Sequence, residues 1–286
     1  MSIVVTGATG HLGRLVVEAL LRRGVDPTGI VAAGRAVELL DDLAGRGVRV
    51  ARIEFADPAS LTAAFAGADQ VLLVSGSELG DRIRLHGNAI DAARAAGVGR
   101  LAYTSIAHCD TSRLLLAAEH RGTEERLRTS GIPYTLLRNS WYADLYTEAL
   151  PTTLANGGFI GAAGSGRVSA TTRADYAEAA AAALLADEPG DAAVYELGAD
   201  EGFTMAELAH EITVQSGTTV TYNDLTDEEY RATLEGFGLP PAAAAAYADG
   251  DRGIREGELY VDTRDLSRLI GRPTTPLAEA IAAALG

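Results

Sequence analysis

Three glycines, Gly7, Gly10 and Gly13, stand in the stretch TGATGHLG, directly after an apolar run and at the start of a helical pattern. Glycines at this spacing permit a tight turn, a close approach of the backbone to a diphosphate, and close packing of the helix on the strand. The first turn of such a helix presents N–H groups and the positive end of its dipole to an anion. The pattern predicts a dinucleotide-binding turn made of Thr6, Gly7, Thr9, Gly10, His11, Leu12 and Gly13.

The residue type after the second predicted strand distinguishes the two nicotinamide cofactors. An acid there binds the ribose 2′-hydroxyl of NAD, whereas an arginine accommodates the 2′-phosphate of NADP. The stretch IVAAGRAVE offers Arg35 first and Glu38 only afterwards. We therefore expect NADP(H) in preference to NAD(H), and Glu38 leaves NAD(H) open.

Tyr103 lies in the apolar run RLAYTSI, where a tyrosine can act as the acid of a carbonyl reductase. Such a tyrosine works with a lysine four residues later, which lowers its pKa, but that position here is Ala107. The chain contains no lysine, since all 24 residues counted as Lys and Arg are arginines. This excludes lysine Schiff bases, P-loops and the tyrosine–lysine acid pair.

Composition narrows the class of protein further. A net charge of −15 argues against a nucleic-acid partner, which needs a basic face on the protein. The single cysteine, Cys109, excludes a disulfide framework and fits a reducing compartment. We see neither a signal peptide nor an apolar stretch of about 20 residues that would span a membrane. These features predict a cytoplasmic protein.

Over roughly the first 140 residues, apolar runs alternate with helical patterns, which predicts an α/β fold of Rossmann type with a doubly wound parallel sheet. Asp57 and Pro58 form a strong helix start, and Gly131 ends a later helix. The predicted strands are SIVVTG, TGIVAAG, VRVARIEF, QVLLVSG, RLAYTSI and PYTLLRN, and AVELLDDLAGRG is predicted as a helix.

The alternation loosens after Trp141, and we place a soft boundary near residue 150. Residues 1–150 are predicted to form the dinucleotide-binding domain. Residues 151–286 are predicted to form a smaller α+β lobe that covers the substrate. In that lobe NGGFIGAAGSGR predicts a loop, RADYAEAAAAALLAD a helix, AVYELGAD and TTVTYND strands, and a last helix follows Pro276.

Longer stretches indicate a family: VTGATGHLG, LLVSGSE, AYTSIAHCDTS, AAEH, SGIPYTLLRNSWY, GFIGAAGSGRVSATTRADYAEAAA and LIGRPTTPLAEAI. With Arg35, they make the chain resemble the NmrA-like branch of the atypical short-chain dehydrogenases from end to end. Within that branch it is most similar to the bacterial NAD(P)H:quinone oxidoreductases of type 2. The resemblance implies a Rossmann domain, a small C-terminal lobe and a quinone site over the nicotinamide. Glu54 and Phe55 depart from the acid and tyrosine usual in the family, which concerns the adenine contacts.

The same resemblance assigns residues to the nicotinamide end of the site. His120 lies eleven residues before Gly131, where related reductases of isoflavone type have a lysine and the quinone reductases a histidine. Asn139 and His108 map to positions that face the nicotinamide and the substrate. The other expected contacts are Ser75, Thr104 and Ser105 for the cofactor, and Trp141 and Tyr142 for the substrate.

These residues predict hydride transfer to a quinone. Reducing a ketone creates an alkoxide whose conjugate acid has a pKa near that of water, about 15.7. A hydroquinone anion is a phenolate with a pKa of about 10, so roughly 8 kcal/mol less stabilisation is required. We expect His120 to bind the nicotinamide ribose and to pass a proton, Asn139 to donate to the developing oxyanion, and His108 to donate a proton.

Alternatives remain open for several residues and for the function. His120 can be an exposed polar residue, His108 a cap for the loop with Asp110, Trp141 a core residue, and Tyr103 only a packing residue. No metal site is expected, because the neighbours in HCD point apart. The chain can also be a non-catalytic NAD(P)-sensing regulator. It can instead be a tailoring enzyme for a polycyclic polyketide quinone, whose reduction leads to oxygenation by O2.

Overall fold

The strands of the protein alternate with helices along most of the chain. The computed structural model describes residues 1–76, 80–186 and 190–286; Ser77, Glu78 and Asp187, which belong to stretches quoted above, lie outside the described residues. The strands are β1 (Ile3–Val5), β2 (Ile30–Gly34), β3 (Arg49–Arg52), β4 (Gln70–Leu73), β5 (Arg100–Ile106), β6 (Tyr134–Asn139), β7 (Gly158–Gly161), β8 (Ala192–Leu197) and β9 (Thr221–Asp224).

Two short 3-10 turns, Pro27–Gly29 and Val37–Leu40, accompany the α-helices. The helices are α1 (His11–Arg22), α2 (Asp41–Gly45), α3 (Pro58–Phe65), α4 (Arg82–Ala95), α5 (Leu115–Arg128), α6 (Asp144–Thr147), α7 (Leu150–Asn156), α8 (Arg173–Leu184), α9 (Met205–Ser216), α10 (Asp227–Gly236), α11 (Pro241–Arg255), α12 (Asp265–Ile270) and α13 (Leu277–Leu285). No helix of the described residues is both long and apolar enough to cross a membrane.

The main sheet has the strand order β3-β2-β1-β4-β5-β6-β8, and a second sheet pairs β7 with β9. All the pairs from β3 to β6 are parallel. The chain therefore moves outward from β1 in both directions, and the order reverses between β1 and β4. In such sheets the ligand site lies beyond the carboxyl ends of the strands at this reversal. The predicted doubly wound Rossmann fold is confirmed.

Apolar side chains on both faces of the main sheet explain why its strands read as continuous hydrophobic runs. All three residues of β1 and all five of β2 are buried. On one face, Val4, Leu73, Tyr103 and Leu136 belong to one core cluster that spans neighbouring strands. The strand side chains therefore form the core, and the predicted ligand site lies in the loops at the carboxyl ends of the strands.

Most local predictions are confirmed, including the helix start at Pro58, where the Asp57 side chain accepts a hydrogen bond from the Ala59 N–H. Two are wrong. AVELLDDLAGRG is not one helix but the 3-10 turn Val37–Leu40 followed by α2. The predicted loop NGGFIGAAGSGR contains β7, which forms because residues 158–161 pair in parallel with β9. That partner lies far along the chain, so local composition could not indicate it.

Two compact units make up the described chain. Unit 1 comprises residues 1–109, 119–139 and 173–195, and unit 2 comprises residues 110–118, 140–172 and 196–286. The structure therefore differs from a single cut near residue 150, because helix α8 belongs to unit 1, where it packs against α1. A boundary drawn along the sequence cannot show that a later segment of the chain packs back into the first unit. The predicted assignment of functions to two lobes stays a prediction.

Candidate active site

The glycine turn of unit 1 is shaped to accept a diphosphate. Gly7 has a φ of +64°, a backbone conformation that residues with a side chain rarely adopt. Its carbonyl accepts a hydrogen bond of 2.9 Å from the Gly10 N–H. A Cβ on Gly13 would lie 2.3 Å from the Gly7 oxygen, so helix α1 can approach the turn only without a side chain there. Gly10 caps α1 without a side-chain hydrogen bond, and the first turn of the helix carries no acid. The turn therefore fits the diphosphate that the spacing of the three glycines predicts.

The other residues of this turn divide between exposed and structural positions. His11 is exposed at the first position of α1, and Thr9 is half-buried. Leu12 is buried in the helix. The Thr6 hydroxyl donates to the Leu72 carbonyl at 3.1 Å and accepts from the Val74 N–H at 3.0 Å. The Thr6 side chain thus joins β1 to the end of β4, and the Thr6 N–H also donates to the Leu72 carbonyl at 3.0 Å, so this residue holds the framework of the turn.

Arg35 directly follows the carboxyl end of β2 and is exposed. Glu38 is exposed as well, and its carboxylate lies 3.5 Å from the guanidinium of Arg52. Glu38 is therefore engaged with Arg52. The contact of Arg35 with a 2′-phosphate stays a prediction.

Tyr103 is fully buried in the core of unit 1, and its hydroxyl lies 2.7 Å from Nδ1 of His120. Burial raises the pKa of the phenol well above its ordinary value, so the phenol stays protonated. In the tautomer of His120 that carries its proton on Nε2, the phenol donates to Nδ1 and Nε2 is left as a donor. Tyr103 therefore holds a histidine in place and is not an accessible acid.

His120 itself is buried, not the exposed residue that the sequence left open. Burial, and then the positive charge of Arg82, lower its pKa well below the ordinary value for histidine. The imidazole is consequently neutral at physiological pH. A neutral imidazole is suited to donating a hydrogen bond and poorly suited to supplying a proton.

A polar cluster that sequence reasoning missed surrounds this pair. Nε2 of His86 accepts a hydrogen bond of 3.1 Å from the Gly76 N–H, just after β4, and Nδ1 lies 3.2 Å from the Thr123 hydroxyl. Burial, with a contribution from Arg82, lowers the pKa of His86 to about 3. Arg82 lies 3.2 Å from the carboxylate of Glu119. The available signal was the spacing of Arg82 and His86, four apart on one helix.

The three predicted hydroxyl contacts at the ends of β4 and β5 have different partners. Thr104 accepts a hydrogen bond of 2.8 Å from the Ser75 N–H and so ties the loop after β4 to β5. Ser105 donates to the buried carboxylate of Glu124 at 2.6 Å. Arg138 holds the same carboxylate at 2.6 Å. Ser75 and Thr104 are therefore close to the predicted site edge, whereas the Ser105 side chain serves an internal ion pair.

His108 and Asn139 come together at the carboxyl ends of neighbouring strands. Asn139 pairs in register with Ile106, and its carbonyl accepts a hydrogen bond of 2.9 Å from the Ala107 N–H. Asn139 is buried, and His108 is half-buried. His108 has a φ of +51°, a conformation that is costly for a residue with a side chain and concentrates at functional sites. The geometry is consistent with the paired roles predicted for them.

Trp141 and Tyr142 belong to unit 2, and both are half-buried. Trp141 lines a pocket of about 180 Å³ within that unit. Tyr142 forms an isolated bridge with Thr171, so its backbone is part of the local framework. Trp141 is consequently a pocket residue and not only a core residue.

Several further residues make no visible contribution to chemistry. Burial raises the pKa of the Cys109 thiol to about 12, so the thiol is not a nucleophile. Across residues 1–76, 80–186 and 190–286, no group of His, Cys, Asp and Glu is arranged to hold a metal ion. Glu54 is exposed. Phe55 packs edge-on against His86, with the ring centres 5.7 Å apart.

Comparisons with known proteins identify the family of this chain. Residues 7–187 match the family described as NAD(P)H-binding. Quinone oxidoreductase 2 of Escherichia coli is 47% identical over 279 residues, which cover 98% of this chain and 97% of that protein. The E. coli NADPH-dependent quinone oxidoreductase complexed with NADPH superposes with a TM-score of 0.94 at 46% identity, over 99% of this chain and 100% of that one. The Citrobacter sp. triphenylmethane reductase complexed with NADP(H) gives a TM-score of 0.93 at 38% identity, over 99% and 100% of the two chains. The resemblance given by the sequence motifs is confirmed.

Proposed function

Because the chain belongs to the NAD(P)H-binding family, we propose that it is an NADPH-dependent oxidoreductase that reduces quinones to hydroquinones. The structural observation that carries this proposal is that Tyr103 is buried and its hydroxyl contacts Nδ1 of His120, so the phenol cannot act as an accessible acid. The similarity to a quinone oxidoreductase over nearly the whole chain supports the same substrate class.

Binding of the cofactor is assigned to unit 1. NADPH, when bound, supplies the hydride. The Gly7–Gly13 turn and the uncapped start of α1 receive the diphosphate through backbone N–H groups. Arg35, exposed after β2, is assigned to the 2′-phosphate, and this assignment is supported by the NADPH and NADP(H) complexes of the two related structures.

His120 is proposed to position the cofactor ribose. Its low pKa keeps the ring neutral, because burial disfavours the charged form. In the tautomer in which Nδ1 accepts from the Tyr103 hydroxyl, Nε2 carries the proton and can donate a hydrogen bond to the ribose. Tyr103 acts through His120 and is therefore a positioning residue.

Asn139 and His108 are proposed to act on the substrate oxygens. The Asn139 amide can donate to the oxygen on which negative charge develops as hydride arrives. His108 lies on the neighbouring strand end and supplies the proton that completes the hydroquinone. One hydride and one proton convert one quinone into one hydroquinone, so the reaction balances without another reductant.

The lack of an accessible phenolic acid selects among carbonyl substrates. A phenolate product requires roughly 8 kcal/mol less stabilisation than an alkoxide, judged from pKa values about 6 units apart. A quinone therefore reacts at a site that lacks a tyrosine acid activated by a lysine, whereas an aliphatic ketone does not. The reducing compartment indicated by the single cysteine leads us to place this reaction in the cytoplasm.

The experiment that tests the proposal is NADPH oxidation under anaerobic conditions with 1,4-naphthoquinone, beside an aliphatic ketone. We expect turnover with the quinone alone and one hydroquinone formed for each NADPH. Tight binding of NADPH without turnover would instead support a dinucleotide sensor. Repeating the reaction in air, with product masses, tests the oxygenating alternative, which requires an oxygen atom in an organic product.

A further inference from the structure

Unit 2 contains an aromatic pocket that the proposed reaction does not use as a site of proton or hydride transfer. The pocket has a volume of about 180 Å³. Its charged lining residue, among the parts of the chain that the structure describes, is Asp251 on α11. Its aromatic lining residues are Trp141, Tyr146, Phe159, Tyr222, Tyr230 and Tyr247.

Among the described residues, no cationic side chain forms an ion pair with the Asp251 carboxylate. Its Oδ2 accepts a hydrogen bond of 2.7 Å from the Ala162 N–H. Within residues 1–76, 80–186 and 190–286, no hydrogen bond or ion pair reaches Oδ1. Arg255 on the same helix is engaged elsewhere, by the Asp227 carboxylate at 2.6 Å and by the Ala162 carbonyl at 2.7 Å. An acceptor oxygen therefore remains available at the wall of an otherwise uncharged pocket.

The surroundings keep this carboxylate negative at neutral pH but make its charge costly. Burial, with the nearby negative charges of Asp224 and Asp227, raises the pKa of Asp251 to about 6, against the lowering effects of the Ala162 N–H and Arg255. Burial also raises the pKa values of the tyrosines that share the pocket, so their phenols stay neutral; these are Tyr146, Tyr222 and Tyr230. A half-buried anion of this kind is stabilised most by a cation.

We propose that the pocket binds an aromatic ammonium ligand, a flat ring whose positively charged nitrogen pairs with Oδ1 of Asp251. Aromatic side chains attract organic cations through the negative faces of their rings, and the interaction strengthens where water is excluded. A cavity of roughly 150 Å³ accommodates benzene, so the volume suits a single substituted ring. An anionic ligand would be repelled by Asp251, and a neutral one would leave its charge without a partner.

Trp141 provides a direct measurement, because it is the one tryptophan of the chain and it lines the pocket. The full chain, without NADPH or quinone, is titrated with benzylammonium and with benzyl alcohol while tryptophan fluorescence is recorded. The two probes have the same ring and differ in charge. We expect a saturable response to benzylammonium, with an affinity at least about tenfold higher than that of benzyl alcohol, as a charged hydrogen bond requires.

Two variants locate the effect. Asp251→Asn is expected to lose at least about tenfold in affinity for benzylammonium and to bind benzyl alcohol as the native chain does, which also shows that the pocket has folded. Asp262→Asn makes the same charge change at an exposed position of unit 2 and should leave both affinities unchanged. Equal affinity of the native chain for the two probes, no saturable response to benzylammonium, or unchanged benzylammonium binding by Asp251→Asn would each overturn the proposal. Because neither cofactor nor quinone is present, the result is independent of the proposed reductase activity.

Discussion

Replacing Tyr103 by phenylalanine separates a positioning role from an acid role. The change removes one buried hydroxyl, which lies 2.7 Å from Nδ1 of His120. A neutral hydrogen bond contributes about 1 kcal/mol net, and a buried acceptor left unsatisfied costs about 1–3 kcal/mol. We therefore expect the free energy of unfolding of Tyr103→Phe to fall by about 1–3 kcal/mol.

The effect on turnover should be modest. Removing a general acid lowers the rate by about 10²–10⁴, whereas loosening the ring of His120 is expected to lower kcat with naphthoquinone by less than about tenfold. The assays are urea denaturation and anaerobic NADPH oxidation across a range of pH. The pH profile should keep its shape, because the Tyr103 phenol does not titrate near neutral pH.

Tyr134→Phe is the matched control, since Tyr134 is half-buried on the neighbouring strand β6 and the hydroxyl change is the same. This variant should match the native chain in both assays. A hundredfold or greater loss of kcat in Tyr103→Phe, with NADPH affinity and folding retained, would show that Tyr103 is the acid and that the assignment made here is wrong.

Three further outcomes test other parts of the structure. Gly13→Ala should weaken NADPH binding by more than about tenfold and destabilise the chain by about 1–3 kcal/mol, because the added Cβ meets the Gly7 oxygen at 2.3 Å. Isothermal titration measures the loss of NADPH affinity. The control Gly45→Ala, where a Cβ meets open space, should change neither affinity nor stability. Arg35→Glu should lower the ratio of kcat/KM for NADPH to that for NADH by at least about tenfold, as the loss of a charged hydrogen bond implies; an unchanged ratio in steady-state assays would contradict the 2′-phosphate assignment. Asp251→Asn should be more stable than the native chain at about pH 8 and equal to it at about pH 4. The reason is that the pKa of Asp251 is about 6 in the folded chain against 3.8 for an unperturbed carboxyl, so native stability is lost as pH rises from about 4 through about 6, by roughly 3 kcal/mol. Urea titrations at several pH values that show no convergence at low pH would refute this.

The sequence predicts the fold well where the signals are local. The glycine turn, the apolar strands and the Asp57–Pro58 helix start each depend on residues within a few positions of one another, and all are found in the structure. The family motifs add residues of the site that no local rule supplies. Their proposed roles for His108, His120 and Asn139 stay predictions.

The parts that the sequence could not predict depend on contacts between distant segments. β7 forms because it pairs with β9, some sixty residues later, as the register of Ile160 with Asn223 illustrates. The bond between Tyr103 and His120 joins a strand to the helix after it, and burial in that packing, followed by the charges of Arg82 and His86, lowers the pKa of a histidine that the sequence left open as an exposed residue. The carboxylate of Asp251 acquires its environment from β7 and from the tyrosines of several elements. Burial of this kind follows from tertiary packing and leaves no pattern along the chain.

The most direct test of the account is a single anaerobic turnover with one equivalent of NADPH that carries deuterium at the transferred position of C4. Hydride transfer to the quinone predicts one hydroquinone per NADPH, no semiquinone signal in an electron paramagnetic resonance spectrum, and slower oxidation of the deuterated cofactor. A semiquinone signal, or bound NADPH that is not oxidised by any naphthoquinone or benzoquinone supplied, would contradict the assignment of this chain as a hydride-transferring quinone reductase.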